Sequence, residues 1–162
     1  MSNLDNTINQ IIEDNDIPNE WNSLITKELE KLDPENNINR KNLTDTPFIT
    51  IDGEDAKDFD DAIHCNQNNS SFTLKVAIAD VASVVSPNSE IDKQAFKRGT
   101  SIYFPKKVIP MLPEIISNDL CSLVPNKERN VIVCEIVFDL SGGIKSYEFY
   151  EALIISFKRF TY

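Results

Sequence analysis

Six carboxylates fall within the ten positions from Asp52 to Asp61, directly after the β-branched run Phe48–Ile51. Like charges packed this closely raise one another's pKa unless something cationic sits among them. The segment Ile51-Asp52-Gly53-Glu54-Asp55-Ala56-Lys57-Asp58-Phe59-Asp60-Asp61-Ala62 therefore reads as a loop around a cation. Gly53 permits a sharp exit from the preceding strand, folding Asp52 back toward Asp58. In extended backbone Asp58 and Asp60 face one side and Phe59 the other. Phe59 is thus expected to anchor the loop in the core while the carboxylates face a cleft. Mg²⁺ suits such a site because it takes hard oxygen ligands, keeps waters and is shared with substrate phosphates; Mn²⁺ is the alternative. An EF-hand does not fit, since Ile63 stands where glycine is needed and no glutamate closes the loop. Two-metal phosphodiester chemistry fits best.

The rest of the chain predicts an α+β domain on a largely antiparallel sheet with short helices. Residues 1–17 are rich in Asn, Asp and Ile without a clean period and read as a linker or frayed end. Pro18-Asn19 opens a helix carrying Trp21, Leu24, Ile25, Leu29 and Leu32, with Asn19 as N-cap and Asp33-Pro34 as the stop. Glu35 to Thr46 is a polar connector. Strands are expected at Phe48–Ile51, Ala62–Cys65, Phe72–Ala79 and Ser101–Phe104, the last halted by Pro105. Ile91, Ala95 and Phe96 mark a helical turn or two, closed by Gly99. Asn130–Leu140 and Ile144–Phe157 are two β-rich runs joined by Ser141-Gly142-Gly143, a hairpin signal. The boundaries expected are 1–46 for a linker and lead helix and 47–162 for the domain proper.

Net charge tests the idea of a nucleic-acid partner, because the chain carries −10 and phosphate binding calls for Lys and Arg. The acidity is local: Met1–Asp61 holds 16 acidic and 5 basic residues, Ala62–Tyr162 holds 10 and 11. A cation bound in the acidic loop would neutralise part of it. No apolar run approaches the roughly 20 residues that cross a bilayer. The start lacks a basic and apolar leader pattern. Cys65, Cys121 and Cys134 are odd in number without CxxC spacing, and read as reduced cytosolic thiols.

The segment Thr50–Ala62 closely resembles the signature of the ribonuclease II/ribonuclease R family at the start of its catalytic (RNB) domain. The likeness continues through Val76-Ala-Ile-Ala-Asp-Val81, Lys97-Arg-Gly-Thr-Ser-Ile-Tyr-Phe-Pro105, Val108-Ile-Pro-Met-Leu-Pro-Glu114, Ser117-Asn-Asp-Leu-Cys-Ser-Leu123 and the final hairpin. It runs from about Asp16 onward, in order, and is nearer to the ribonuclease R branch. After Asp80-Val81 the family tends to carry Ser-His-Tyr where this chain has Ala82-Ser83-Val84, which weakens any role for that strand end.

The resemblance implies a cytoplasmic, Mg²⁺-dependent 3′→5′ exoribonuclease that hydrolyses single-stranded RNA to nucleoside 5′-monophosphates, monomeric in its full-length form. It matches Asp52, Asp58, Asp60 and Asp61 to the family's metal-binding and catalytic aspartates. Tyr103 reads from the residues alone as either a packed sheet residue or an exposed aromatic; the resemblance assigns it to stacking on the 3′-terminal base. Lys97 and Arg98 become phosphate contacts or solvated surface. His64 reads as a structural strand histidine, and Asp80 either supports the site or caps the next turn. The chain covers the N-terminal half of the family's domain, and the other half carries a catalytic arginine and much of the channel wall. These residues alone are accordingly expected to hydrolyse RNA poorly. The rival expectation is an inactive remnant that binds at most a divalent ion or a protein partner. An unfinished sheet is also expected to expose apolar edges such as Val131–Val137.

Overall fold

Val131 and Val133 alternate with residues facing outward, and so do Ala152 and Ile154 on the next strand. This period of two builds the molecule's main element, a hairpin of β7 (Glu128–Asp139) and β8 (Ile144–Thr161). Its turn is held by Asp139, whose Oδ1 accepts from Ser141 N–H at 2.8 Å and Gly143 N–H at 2.9 Å. Gly142 supplies the positive φ of 90°.

The computed structural model describes residues 3–32 and 39–162, in two compact units. The second unit, Asp33–Val84 with Ile115–Tyr162, contains the hairpin. It adds β1 (Lys41–Asn42), β2 (Phe48–Asp52), β3 (Asp61–Gln67) and β4 (Ser71–Ala79). The sheet order is β1-β8-β2-β3-β4-β7, and β7 pairs with β8 as well. The circuit β2-β3-β4-β7-β8 therefore closes on itself. All its pairings are antiparallel except β2 with β8, where Phe48 lies opposite Ser156 and Asp52 opposite Thr161. Closure corrects the expectation of exposed edges at Val131–Val137. This strand pairs with β4 on one side and β8 on the other, and Val131 and Val133 are fully buried.

A circuit of few strands has a narrow interior, and the side chains fit it. Ala62, Ala77 and Ala152 leave room for Phe48 and Phe59, packed with Leu123, Val131, Val133 and Ile154.

The first unit comprises residues up to Leu32 and Val85–Glu114. Residues expected to be a linker instead form α1 (Asn3–Asp14). Ile8 and Ile12, four apart on one face, are buried with Ile109. The dense Asn and Asp content hides that stripe in the sequence. The next helix, α2 (Ser23–Leu29), is shorter than expected. Its N-cap is Asn22, not Asn19, with Oδ1 accepting from Leu24 and Ile25 N–H. Trp21 lies before it and Leu24 is exposed. The expected stop at Asp33-Pro34 and the start of the connector lie outside the described residues. α3 (Glu90–Arg98) ends at Gly99 with φ 72°, as its sequence implies. A small hairpin of β5 (Ile102–Phe104) and β6 (Lys107–Ile109) completes the unit. Among the described residues no helix is long and apolar enough to cross a membrane.

Candidate metal centre

The acidic loop is suspended between two adjacent strands. Asp52 is the last residue of β2 and Asp61 the first of β3, so the sheet fixes both ends. Between them a turn closes with Ala56 N–H on Gly53 O at 3.1 Å. Phe59 is buried in the core of the ring. Its burial bears out the expected anchor, with Asp58 half-buried on one side of it and Asp60 exposed on the other.

Backbone ties hold the loop against that core. The hydroxyl of Ser122, itself buried, accepts from Phe59 N–H at 3.0 Å and donates to Lys57 O at 2.8 Å. It thus brackets Asp58. Leu123 N–H bonds Phe59 O and Ala79 N–H bonds Asp60 O, both at 2.9 Å. A Ser122→Ala chain leaves the Phe59 donor and the Lys57 acceptor without this partner. About 1–3 kcal/mol of stability should be lost. Urea denaturation measures it, and an unchanged midpoint would show that the bracket is dispensable.

The four aspartates feel one another. The Asp60 carboxyl is pushed above its ordinary range by desolvation first, then by Asp58, Asp61 and Asp52. That of Asp52 is raised by desolvation and by Asp61, against a lowering contribution from Arg159, with Asp58 adding to the rise. Asp52 Oδ2 is buried without a hydrogen-bond partner. A buried carboxylate oxygen facing other carboxylates, with no donor on it, suits a hard cation. Among the described residues, however, no three His, Cys, Asp or Glu side chains converge tightly enough to hold an ion as they stand.

The other residues singled out in the sequence sort differently. His64 Nδ1 lies 3.3 Å from Pro47 O and its ring 6.0 Å from that of Phe48, a packing role within the sheet. Asp80 caps the turn Val81–Ser83 by accepting from Ser83 N–H at 3.2 Å. It also pairs with Arg40 at 2.5 Å, both side chains nearly fully buried. Its carboxylate is therefore committed to the fold. In the first unit, Tyr103 is 69% exposed on β5, beside its cross-strand partner Val108. Lys97 is exposed in the last turn of α3. Arg98, expected as a phosphate contact or solvated surface, is engaged within its own unit. Its guanidinium stacks on Trp21 at 3.7 Å and donates to the carbonyls of Pro18, Glu20 and Pro110. These bonds engage both its terminal nitrogens.

Sequence reasoning missed Ser122, Arg159 and the Arg40–Asp80 pair. Ser122 lies within a recognisable motif, but no local spacing reveals that its hydroxyl reaches Lys57 and Phe59.

Residues 40–162 match the RNB domain family, and the match begins at Arg40, the partner of Asp80. Ribonuclease R of Vibrio parahaemolyticus is 46% identical over 151 residues, covering 90% of this chain and 18% of the relative. Ribonuclease R of Mycoplasmopsis pulmonis is 54% identical over 124 residues, 76% of this chain and 17% of the relative. The structure of Mycoplasma genitalium RNase R in complex with double-stranded RNA superposes with a TM-score of 0.92 at 45% identity. It covers 96% of this chain and 28% of the other. The chain thus spans about a fifth of the length of these curated relatives.

Proposed function

Because the chain belongs to the RNB domain family, we propose that it carries the metal-binding part of a 3′→5′ exoribonuclease acting on single-stranded RNA to release nucleoside 5′-monophosphates. The observation that carries this reading is the unpartnered, buried Asp52 Oδ2 in a loop of mutually repelling carboxylates. Asp52, Asp58, Asp60 and Asp61 would hold Mg²⁺, with Mn²⁺ as a substitute. When bound, the ion supplies charge stabilisation at the scissile phosphate and lowers the pKa of an attacking water.

The protein's own residues do the positioning. β2 and β3 fix Asp52 and Asp61, and the Ser122 bracket fixes Asp58. Phe59, locked in the core, keeps the loop from collapsing outward. The exposed ring of Tyr103 is a stacking platform for the terminal base, a contact worth about 1–3 kcal/mol per base and indifferent to sequence. Lys97 offers an exposed ammonium to a phosphate. Arg98, engaged by backbone carbonyls, is left to hold its own unit together.

Two NMR titrations test the reading. Adding Mg²⁺ or Mn²⁺ to the folded chain should shift or broaden the amides of Asp52–Asp61 ahead of any others. Adding a single-stranded oligoribonucleotide should move the Tyr103 ring signals upfield. A silent loop in a folded sample removes the metal centre, and an unmoved Tyr103 removes the stacking role.

A further inference from the structure

One cation of the protein's own sits against the acidic loop. Arg159 lies on β8 opposite Thr50 of β2, two residues before Asp52. One terminal nitrogen of its guanidinium donates to Gly53 O at 2.7 Å and Glu54 O at 2.6 Å. The same group lies 4.9 Å from the centroid of the Phe59 ring. Arg159 therefore grips the exit from β2 and lies against the side chain that floors the loop. Among the described residues it makes no ion pair with a loop carboxylate. Its hydrogen bonds go to backbone carbonyls.

That placement poses an electrostatic puzzle. A guanidinium near a divalent cation repels it, so on charge alone Arg159 weakens ion binding. Its geometry works the other way. Gly53 and Glu54 form the part of the loop that the Ser122 bracket does not reach, because Ser122 holds only Lys57 and Phe59. Without the clamp, the segment after Asp52 would have to be ordered when the ion binds, at the expense of affinity. We propose that Arg159 is the positioning residue of the divalent-ion loop, presetting the spacing between Asp52 and the Asp58–Asp61 carboxylates by clamping Gly53 and Glu54. The proposal rests on reading that loop as a metal site.

The sign of the effect separates the two roles. Mn²⁺ affinity is measured by electron paramagnetic resonance of the free ion, on the full chain and on its Arg159→Gln and Arg159→Lys variants. Outer-shell partners of metal ligands typically contribute 10- to 100-fold in affinity. Arg159→Gln should therefore bind Mn²⁺ about ten-fold more weakly, although it removes a like charge. Arg159→Lys keeps the charge and can reach one carbonyl, so its affinity should fall between the two. Hydrogen exchange in the metal-free chain should speed up at the amides of residues 53–56 in Arg159→Gln and stay unchanged in the β7–β8 hairpin. Equal or tighter Mn²⁺ binding by Arg159→Gln overturns the clamp and leaves a charge effect alone. Should Arg159→Gln fail to fold, Arg159→Lys decides, and undiminished affinity there overturns the proposal. Failure of the unaltered chain to bind Mn²⁺ removes the metal reading itself, and this inference with it.

Discussion

An Asp60→Asn chain should melt at a higher temperature than the unaltered protein in the absence of divalent ions, and gain almost nothing when they are added. The first half follows from linkage. The Asp60 carboxyl has a folded-state pKa above the ordinary 3.8, through desolvation and then Asp58, Asp61 and Asp52. Between the ordinary and the raised value, the folded state binds more protons than the unfolded one, so stability falls as pH rises through that window. At neutral pH the ionised group is thus a cost to the fold, and asparagine removes it. The advantage of the variant should shrink as the pH falls through the raised value toward the ordinary 3.8, because the unaltered carboxyl then takes up its own proton. The second half follows from mass action. An ion present at a hundred times its dissociation constant stabilises the folded state by about 2.7 kcal/mol. With a proposed ligand gone, most of that gain should vanish. Thermal melts in a pH series from 7 down to the ordinary carboxyl range, with and without Mn²⁺, read both halves. A variant that melts lower without ions and keeps its response to Mn²⁺ would mean that Asp60 supports the fold and holds no cation.

Arg40→Met should be the most damaging single change to the second unit. Arg40 and Asp80 form an ion pair whose side chains are 6% and 8% exposed. Losing one partner of such a pair strands a charge in low dielectric, typically at a loss of about 3–5 kcal/mol. Arg40 also reaches Val131 O at 3.4 Å and lies 3.7 Å from Glu151, so its loss touches β7 and β8 together. The damage should spread to the metal loop by a short route, since Ala79, the residue before Asp80, holds Asp60 O. Urea midpoints give the stability change, and Mn²⁺ affinity near the midpoint reports the coupling. A loss below about 1 kcal/mol, the worth of an ordinary surface pair, would show that water reaches Asp80.

What the sequence disclosed followed the range of the interaction involved. The place of the acidic loop, the inward turn of Phe59, the β7–β8 hairpin and the left-handed Gly99 all depend on neighbours a few residues apart. Period, turn chemistry and like-charge repulsion encode them directly. Closure of the sheet was hidden, because β2 finds its parallel partner in the distant end of β8 and no local pattern names that partner. Val131–Val137 therefore looked like an edge. α1 was hidden for a different reason: its Asn- and Asp-rich surface swamps the two isoleucines that bury it. Asn19 and Asn22 are equally good caps by residue type, and nothing in the local sequence singles out Asn22, which the structure uses. Arg159 carried no signal, since its partners are backbone carbonyls common to every sequence.

The pairing of β2 with the end of β8 also sets an order of events. Phe48 to Asp52 are made well before the strand beside them, Ser156 to Thr161. Contacts this far apart in sequence are slow to form and wait on the whole intervening chain. Until that stretch leaves the ribosome, Arg159 cannot grip Gly53 and Asp52 lacks its partner Thr161. A nascent chain would thus carry its acidic segment as a loose, weakly chelating tether, and competence to hold an ion would arrive abruptly, once the far end of β8 has emerged.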